Sequence, residues 1–134
     1  MAAVVVDTDV VSFEFKRDSR ALLYDPHLAG RELVLSFMTL AELDRWALVH
    51  RWGEARRARL DRHLQKFVVC YADRNLCRWW AEVTHRARRQ GRPIAPADAW
   101  IAATALAMAI PLVTNNSADY AGVDGLTVLT EARH

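Results

Sequence analysis

Short apolar runs, each too brief to make a helix, alternate along this chain with stretches of helical periodicity. Val4-Val5-Val6, Leu33-Val34-Leu35-Ser36, Phe67-Val68-Val69-Cys70, Leu112-Val113-Thr114 and Thr127-Val128-Leu129 read as strands. Between them, residues 10–29 are partly helical, with Pro26 and Gly30 breaking the pattern. Thr39 caps a helix reaching about His50, and Gly53 turns the chain into an Arg-laden helix through about Gln65. Asp73 starts a helix to about Gln90, which carries Leu76, Trp79, Trp80 and Val83 at helical spacing and ends at Gly91 and Pro93. Pro96 suits the first turn of the next helix, which is apolar on almost every side and is expected to pack directly against the sheet. Strands separated by helices are joined by right-handed crossovers and lie parallel. The expectation is therefore an α/β fold of three layers, α/β/α, around a central parallel sheet of four or five strands. At 134 residues the chain forms one domain, residues 1–134, burying roughly two-thirds of its unfolded surface.

Four acids fall where these runs give way to polar turns or helix starts. Asp7 closes the first run, Glu42 follows the second within one helical turn, Asp98 opens the helix after Pro96, and Asp119 follows Leu112-Val113-Thr114. Each has an ordinary structural explanation. Asp7 and Asp119 suit turns, Thr39-Leu40-Ala41-Glu42 matches a capping box, and Asp98 sits where the helix dipole favours a carboxylate. Taken together they are harder to assign to chance, because the carboxyl ends of parallel strands share one crevice. Carboxylates gathered there repel one another unless a hard cation neutralises them, which points to Mg²⁺ or Mn²⁺. Adjacent helix N-termini would help to hold a phosphate beside such an ion.

Charge narrows the substrate. Net charge is only +2, yet Lys16 and Lys66 are the only lysines among 18 basic residues, and the remainder are Arg. Arg51, Arg56, Arg57, Arg59 and Arg62 form one cluster and Arg86, Arg88, Arg89 and Arg92 another. Any one of them is an ordinary solvated residue; beside an acidic crevice, the clusters favour a polyanionic substrate. No apolar run is long enough to cross a bilayer, so no membrane association is expected, and the start lacks the basic segment of a secretory signal. Cys70 and Cys77 form no C-x-x-C pair; reduced thiols and a cytoplasmic location are expected. A zinc site from Cys70, Cys77 and His85 is conceivable but fits no common spacing.

The opening Val6-Asp7-Thr8-Asp9-Val10-Val11 fits two phosphoryl-processing families. Haloacid-dehalogenase-like phosphatases begin with such a D-x-D, but they need a later Lys and acidic pair, and no Lys follows Thr114. The other resemblance covers nearly the whole chain. Asp7-Thr8-Asp9-Val10-Val11 is similar to the D-T/S-N-h-h start of PIN-domain ribonucleases of the VapC toxin type, with Asp9 in place of Asn. Ser36-Phe37-Met38-Thr39-Leu40-Ala41-Glu42-Leu43 resembles their S-x-x-T-x-x-E-L segment, and Asp98-Ala99-Trp100-Ile101-Ala102-Ala103-Thr104-Ala105 their D-x-x-I-A-A-x-A motif. Leu112-Val113-Thr114-Asn115-Asn116-Ser117-Ala118-Asp119-Tyr120 resembles the closing L-V-T-x-N-x-x-D-F, with Tyr for Phe.

That resemblance implies a metal-dependent endoribonuclease, the toxin of a type II toxin–antitoxin pair, acting on structured RNA such as tRNA or rRNA. Asp7, Asp98 and Asp119 would hold Mg²⁺ or Mn²⁺, and Glu42 would bind a second ion or orient the attacking water. Thr8, Thr39, Thr114 and Asn116 would be supporting groups, with Asp9 a ligand or a group behind the ligands. It also implies a homodimer and an antitoxin laid across the groove. Trp46, Trp79 and Trp100 are expected in the core, and Trp52 and Trp80 partly exposed as interface candidates. The alternative reading is a PIN-like RNA- or protein-binding module without turnover.

Overall fold

The structure is a computed structural model that describes residues 2–133. Five strands, β1 (Ala3–Val6), β2 (Glu32–Ser36), β3 (Val68–Cys70), β4 (Leu112–Val113) and β5 (Val128–Leu129), form one parallel sheet in the order β3-β2-β1-β4-β5. Central β1 pairs with β2 through Val4↔Leu33 and with β4 through Val6↔Val113. The chain builds outward from β1 to β3, then returns to add β4 and β5 on the other side. Strand order therefore reverses between β1 and β4, the place where open α/β sheets form their ligand crevice.

The pleat of β1 explains the layers. Val4 and Val6 join one apolar cluster with Val10, Tyr24, Leu43 and Leu60; Val5 points the other way, into a cluster with Val34, Val83, Ile101 and Leu112. Residues of α1 (Thr8–Lys16), α2 (Ala21–Leu28), α3 (Phe37–Val49) and α4 (Glu54–Leu64) fill the first cluster. Those of α5 (Arg74–Arg89) and α6 (Pro96–Met108) fill the second, giving the expected α/β/α sandwich. In α6, Ala99 and Ile101 through Ala105 are all buried, as the all-round apolar pattern predicts. Among the described residues no helix is long and apolar enough to cross a membrane.

Three local expectations are corrected. Ser36, not Thr39, caps α3: its hydroxyl accepts from the Met38 amide at 3.1 Å, so the helix starts before Thr39. The Thr39–Glu42 capping box accordingly does not form. Pro26 lies inside α2 rather than ending it; the carbonyl that loses its donor belongs to Leu22, which is 71% exposed and open to water. Trp79 is exposed rather than in the core, whereas Trp80 is partly buried, as expected. Leu76, Trp80, Val83 and Ala87 share one stripe of α5, and Trp80 stacks on Trp100 at 5.1 Å, whereas Trp79 falls to the stripe's edge and is exposed. The basic helix α4 is held by one buried residue, Leu60, and Arg56 and Arg59 lie over the Trp52 and Phe15 rings.

Candidate active site

The crevice is built on the end of β1. Asp7 leaves the strand extended and caps α1, its Oδ1 accepting from the Thr8 amide at 2.7 Å. Its Oδ2 accepts from the Thr114 hydroxyl at 2.7 Å and from the Tyr120 hydroxyl at 2.9 Å. Thr114 follows β4, so this bond spans the place where strand order reverses. Thr8, in the first turn of α1, donates its hydroxyl to Glu42 Oε1 at 2.7 Å and lies 2.9 Å from the Thr39 hydroxyl. Thr39 and Glu42 sit on the inward side of α3, fixed by the early start of that helix.

Asp9 is turned toward the loop after β4. Its Oδ2 accepts from the Asn115 amide at 3.0 Å and its Oδ1 from the Val10 amide at 2.7 Å. Asn116 contributes its backbone amide, which donates to Thr114 Oγ1 at 3.0 Å, and its side chain is exposed. Asp98 enters from the first turn of α6 and Asp119 from a 3₁₀ turn at Ser117–Tyr120. Hydrogen bonds thus join Asp7 to Thr8, Thr114 and Tyr120, and Thr8 to Thr39 and Glu42. Tyr120 also hydrogen-bonds the Asp98 carboxylate, and Asp119 is joined to them through the shared electrostatic field.

That field is strongly unfavourable to negative charge. Burial raises Asp7 above the ordinary carboxylate range, against the pull of its three hydrogen bonds, and Asp119 adds to the rise. Burial and then neighbouring Asp7 push Asp9 up to about 7. Asp98 is pushed up to about 6 by burial and by Asp7, Asp119 and Glu42. Burial raises Glu42 too, and the Tyr120 hydroxyl is driven upward by burial and by Asp7 and Asp98. In an Arg-rich chain, the ion pairs of the described residues include none of these five acids. Oxygen donors held in no ion pair are the donor set a hard divalent ion takes.

Among the described residues no three acidic, histidine or cysteine side chains are drawn together tightly enough to enclose an ion, and Cys70, Cys77 and His85 likewise form no metal group. Mg²⁺ does not need an enclosure. It keeps several waters and takes one or two carboxylates plus substrate phosphates. The residues present fit that open mode.

Tyr120, Tyr24 and Asn115 escaped the sequence reading. Tyr24 is buried and donates to Asn115 Oδ1 at 2.6 Å, fastening the loop whose amide grips Asp9. The signal for Tyr120 was available: a hydroxyl stands where the closing motif has Phe. Tyr24 gave no signal, because a tyrosine in a helical run reads as core.

The PIN domain family model matches residues 4–125. Ribonuclease VapC4 of Mycobacterium tuberculosis is similar at 33% identity over 113 residues, covering 82% of this chain and 86% of that protein. The tRNA(fMet)-specific endonuclease VapC of Shigella flexneri is 26% identical, covering 94% of this chain and 96% of that one. Among solved structures, VapBC-5 of Mycobacterium tuberculosis, a member of the VapBC family of toxin–antitoxin systems, superposes with a TM-score of 0.68 at 28% identity, over 99% of this chain and 100% of that one. The fold is that of a PIN domain, and the chain belongs to that family. More narrowly, this chain belongs to the VapC ribonucleases of that family.

Proposed function

We propose that this protein is a divalent-metal-dependent endoribonuclease, the toxin of a toxin–antitoxin pair, and that it hydrolyses phosphodiester bonds in structured RNA such as tRNA or rRNA. The observation that carries the reading is the crevice itself: Asp7, Glu42, Asp98 and Asp119 share one field, and among the described residues none of them forms an ion pair. A tRNA is the target named for the Shigella flexneri relative, and an RNA target agrees with a cytoplasmic location and with free Cys70 and Cys77. The VapBC-5 structure supports an antitoxin as partner.

Asp7, Asp98 and Asp119 would hold Mg²⁺ or Mn²⁺. A bound ion of this kind activates water and neutralises charge growing on the phosphoryl oxygens. Thr114 and Tyr120 fix Asp7 Oδ2, and the Thr8 amide fixes Oδ1, so this carboxylate cannot swing away from the crevice. The Thr8 hydroxyl holds Glu42, which orients the attacking water. Water attacks phosphorus, the bond to the 3′ oxygen breaks, and the products carry a 5′-phosphate and a 3′-hydroxyl.

Purified parent and Asp7→Asn proteins, incubated with total RNA with Mg²⁺ or EDTA, test the reading. Cleavage is expected only from the parent with Mg²⁺. The variant should lose more than the ten- to hundredfold typical of a residue that merely supports a ligand. Equal cleavage by both proteins would trace the activity to a contaminant, and a parent that cleaves no RNA would favour a binding module without turnover.

A further inference from the structure

Beside Asp119 the crevice opens into a cavity of about 480 Å³, lined among others by Arg20, Asn115, Asn116, Asp119 and Arg133. Its size suits a small organic group. The wall formed by residues 131–133 lies beyond the stretch that the family model matches. That wall is tied in place, because the Glu131 amide donates to the Tyr24 hydroxyl at 3.2 Å. The same hydroxyl donates to Asn115 Oδ1, so Asn115 has its NH₂ group to offer an occupant.

Arg20 decides what the occupant is. Its Nε and Nη2 grip the two oxygens of Asp18 at 3.0 and 2.8 Å. One face of its guanidinium lies 4.0 Å from the centre of the buried Phe13 ring, yet the side chain is still 53% exposed. An arginine whose fork is already engaged is a poor phosphate clamp. What it presents is a flat, immobilised cationic face, the surface on which unpaired RNA bases stack.

We propose that this cavity holds one nucleobase of the substrate RNA, next to the scissile phosphate, stacked on the open face of Arg20 with its edge toward the Asn115 amide. This rests on the ribonuclease reading above. The base completes a Phe13–Arg20–base stack, and sequence tolerance at this position follows, since every base has a face.

The test measures fluorescence anisotropy of labelled single-stranded oligoribonucleotides on the full chain carrying Asp7→Asn, alone and combined with Arg20→Ala or Arg20→Lys. Stacking is worth roughly fivefold or more in affinity per base. Both Arg20 variants are expected to lose about that much, because lysine keeps the charge but not the plane. An oligoribonucleotide with an abasic site at the contacted position should show the same loss on the Asp7→Asn protein and no further loss on either Arg20 variant. Full recovery with Arg20→Lys would assign the cavity to a phosphate and overturn the proposal, as would unchanged affinity in both variants. The two readings fail separately. A parent that cleaves no RNA removes the nuclease reading, whereas cleavage by the parent with indifferent Arg20 variants removes the base site alone.

Discussion

Asp7 accepts hydrogen bonds from a backbone amide, a threonine and a tyrosine, and is still raised by burial. Tyr120→Phe deletes one donor and keeps the ring. A hydrogen bond to a charged partner is worth about 1.5–3 kcal/mol, so urea unfolding should show a loss near the lower end, because Thr114 still serves the same oxygen. The donor favours the ionised form, so its removal should also move the pH dependence of Mn²⁺ binding upward; an unmoved profile would confine Tyr120 to packing. The same ionisations shape activity in the parent. Asp98 at about 6 and Asp9 at about 7 are protonated below those values, and cleavage at subsaturating Mg²⁺ should climb as pH rises through 6 and 7. A rate that is flat across that interval would show that neither carboxylate governs metal binding.

At the scale of elements, α3 begins where a single hydroxyl places it. Ser36→Ala removes the cap and should cost about 1 kcal/mol in thermal or urea unfolding. Its more telling readout is cleavage, since Thr39 and Glu42 ride on that first turn. Gly122 marks a second tight spot: a Cβ there would meet the Arg92 carbonyl at 2.5 Å, a backbone atom that cannot turn aside. Gly122→Ala should therefore destabilise by more than the half kcal/mol typical of surface changes. Sequence periodicity located every strand, and α6 announced its burial through an unbroken apolar run. It misplaced the α3 cap because Ser36 also belongs to β2, and a residue that ends one element and starts the next carries two signals at once. It placed Trp79 in the core because adjacent tryptophans differ only by their angle to a stripe whose centre is set by Val83 and Ala87. The four acids could be picked out because they stand at junctions of a parallel sheet, which share one edge. The hydroxyls that hold them could not, because a Thr–Asp bond 107 positions apart leaves no trace in local pattern.

For the molecule as a whole, the raised carboxylates link stability to pH with a definite sign. Asp9 has an ordinary value of 3.8 and sits near 7 in the fold, so between those values the folded state holds a proton that the unfolded chain has released. Its contribution is fully present below 3.8 and is lost as pH rises through about 7. Asp98 acts the same way up to about 6. The metal-free protein should accordingly melt at lower temperature at pH 7 than at pH 5 if other groups are held equal, a comparison that calorimetry on the Asp9→Asn variant makes directly. Mg²⁺ partners the ionised forms, so the rise in melting temperature it produces should be larger at the higher pH. A rise independent of pH would place the ion elsewhere.

The position of β1 has one more consequence. Both edges of this strand are paired, and the Asp7 amide itself donates to the Val113 carbonyl at 2.9 Å, so the acid at its tip is anchored in the part of the sheet that opens last. Fraying at the rim, of β3 or β5, leaves such a centre intact. Loosening the rim of the sheet therefore does not by itself switch such a centre off.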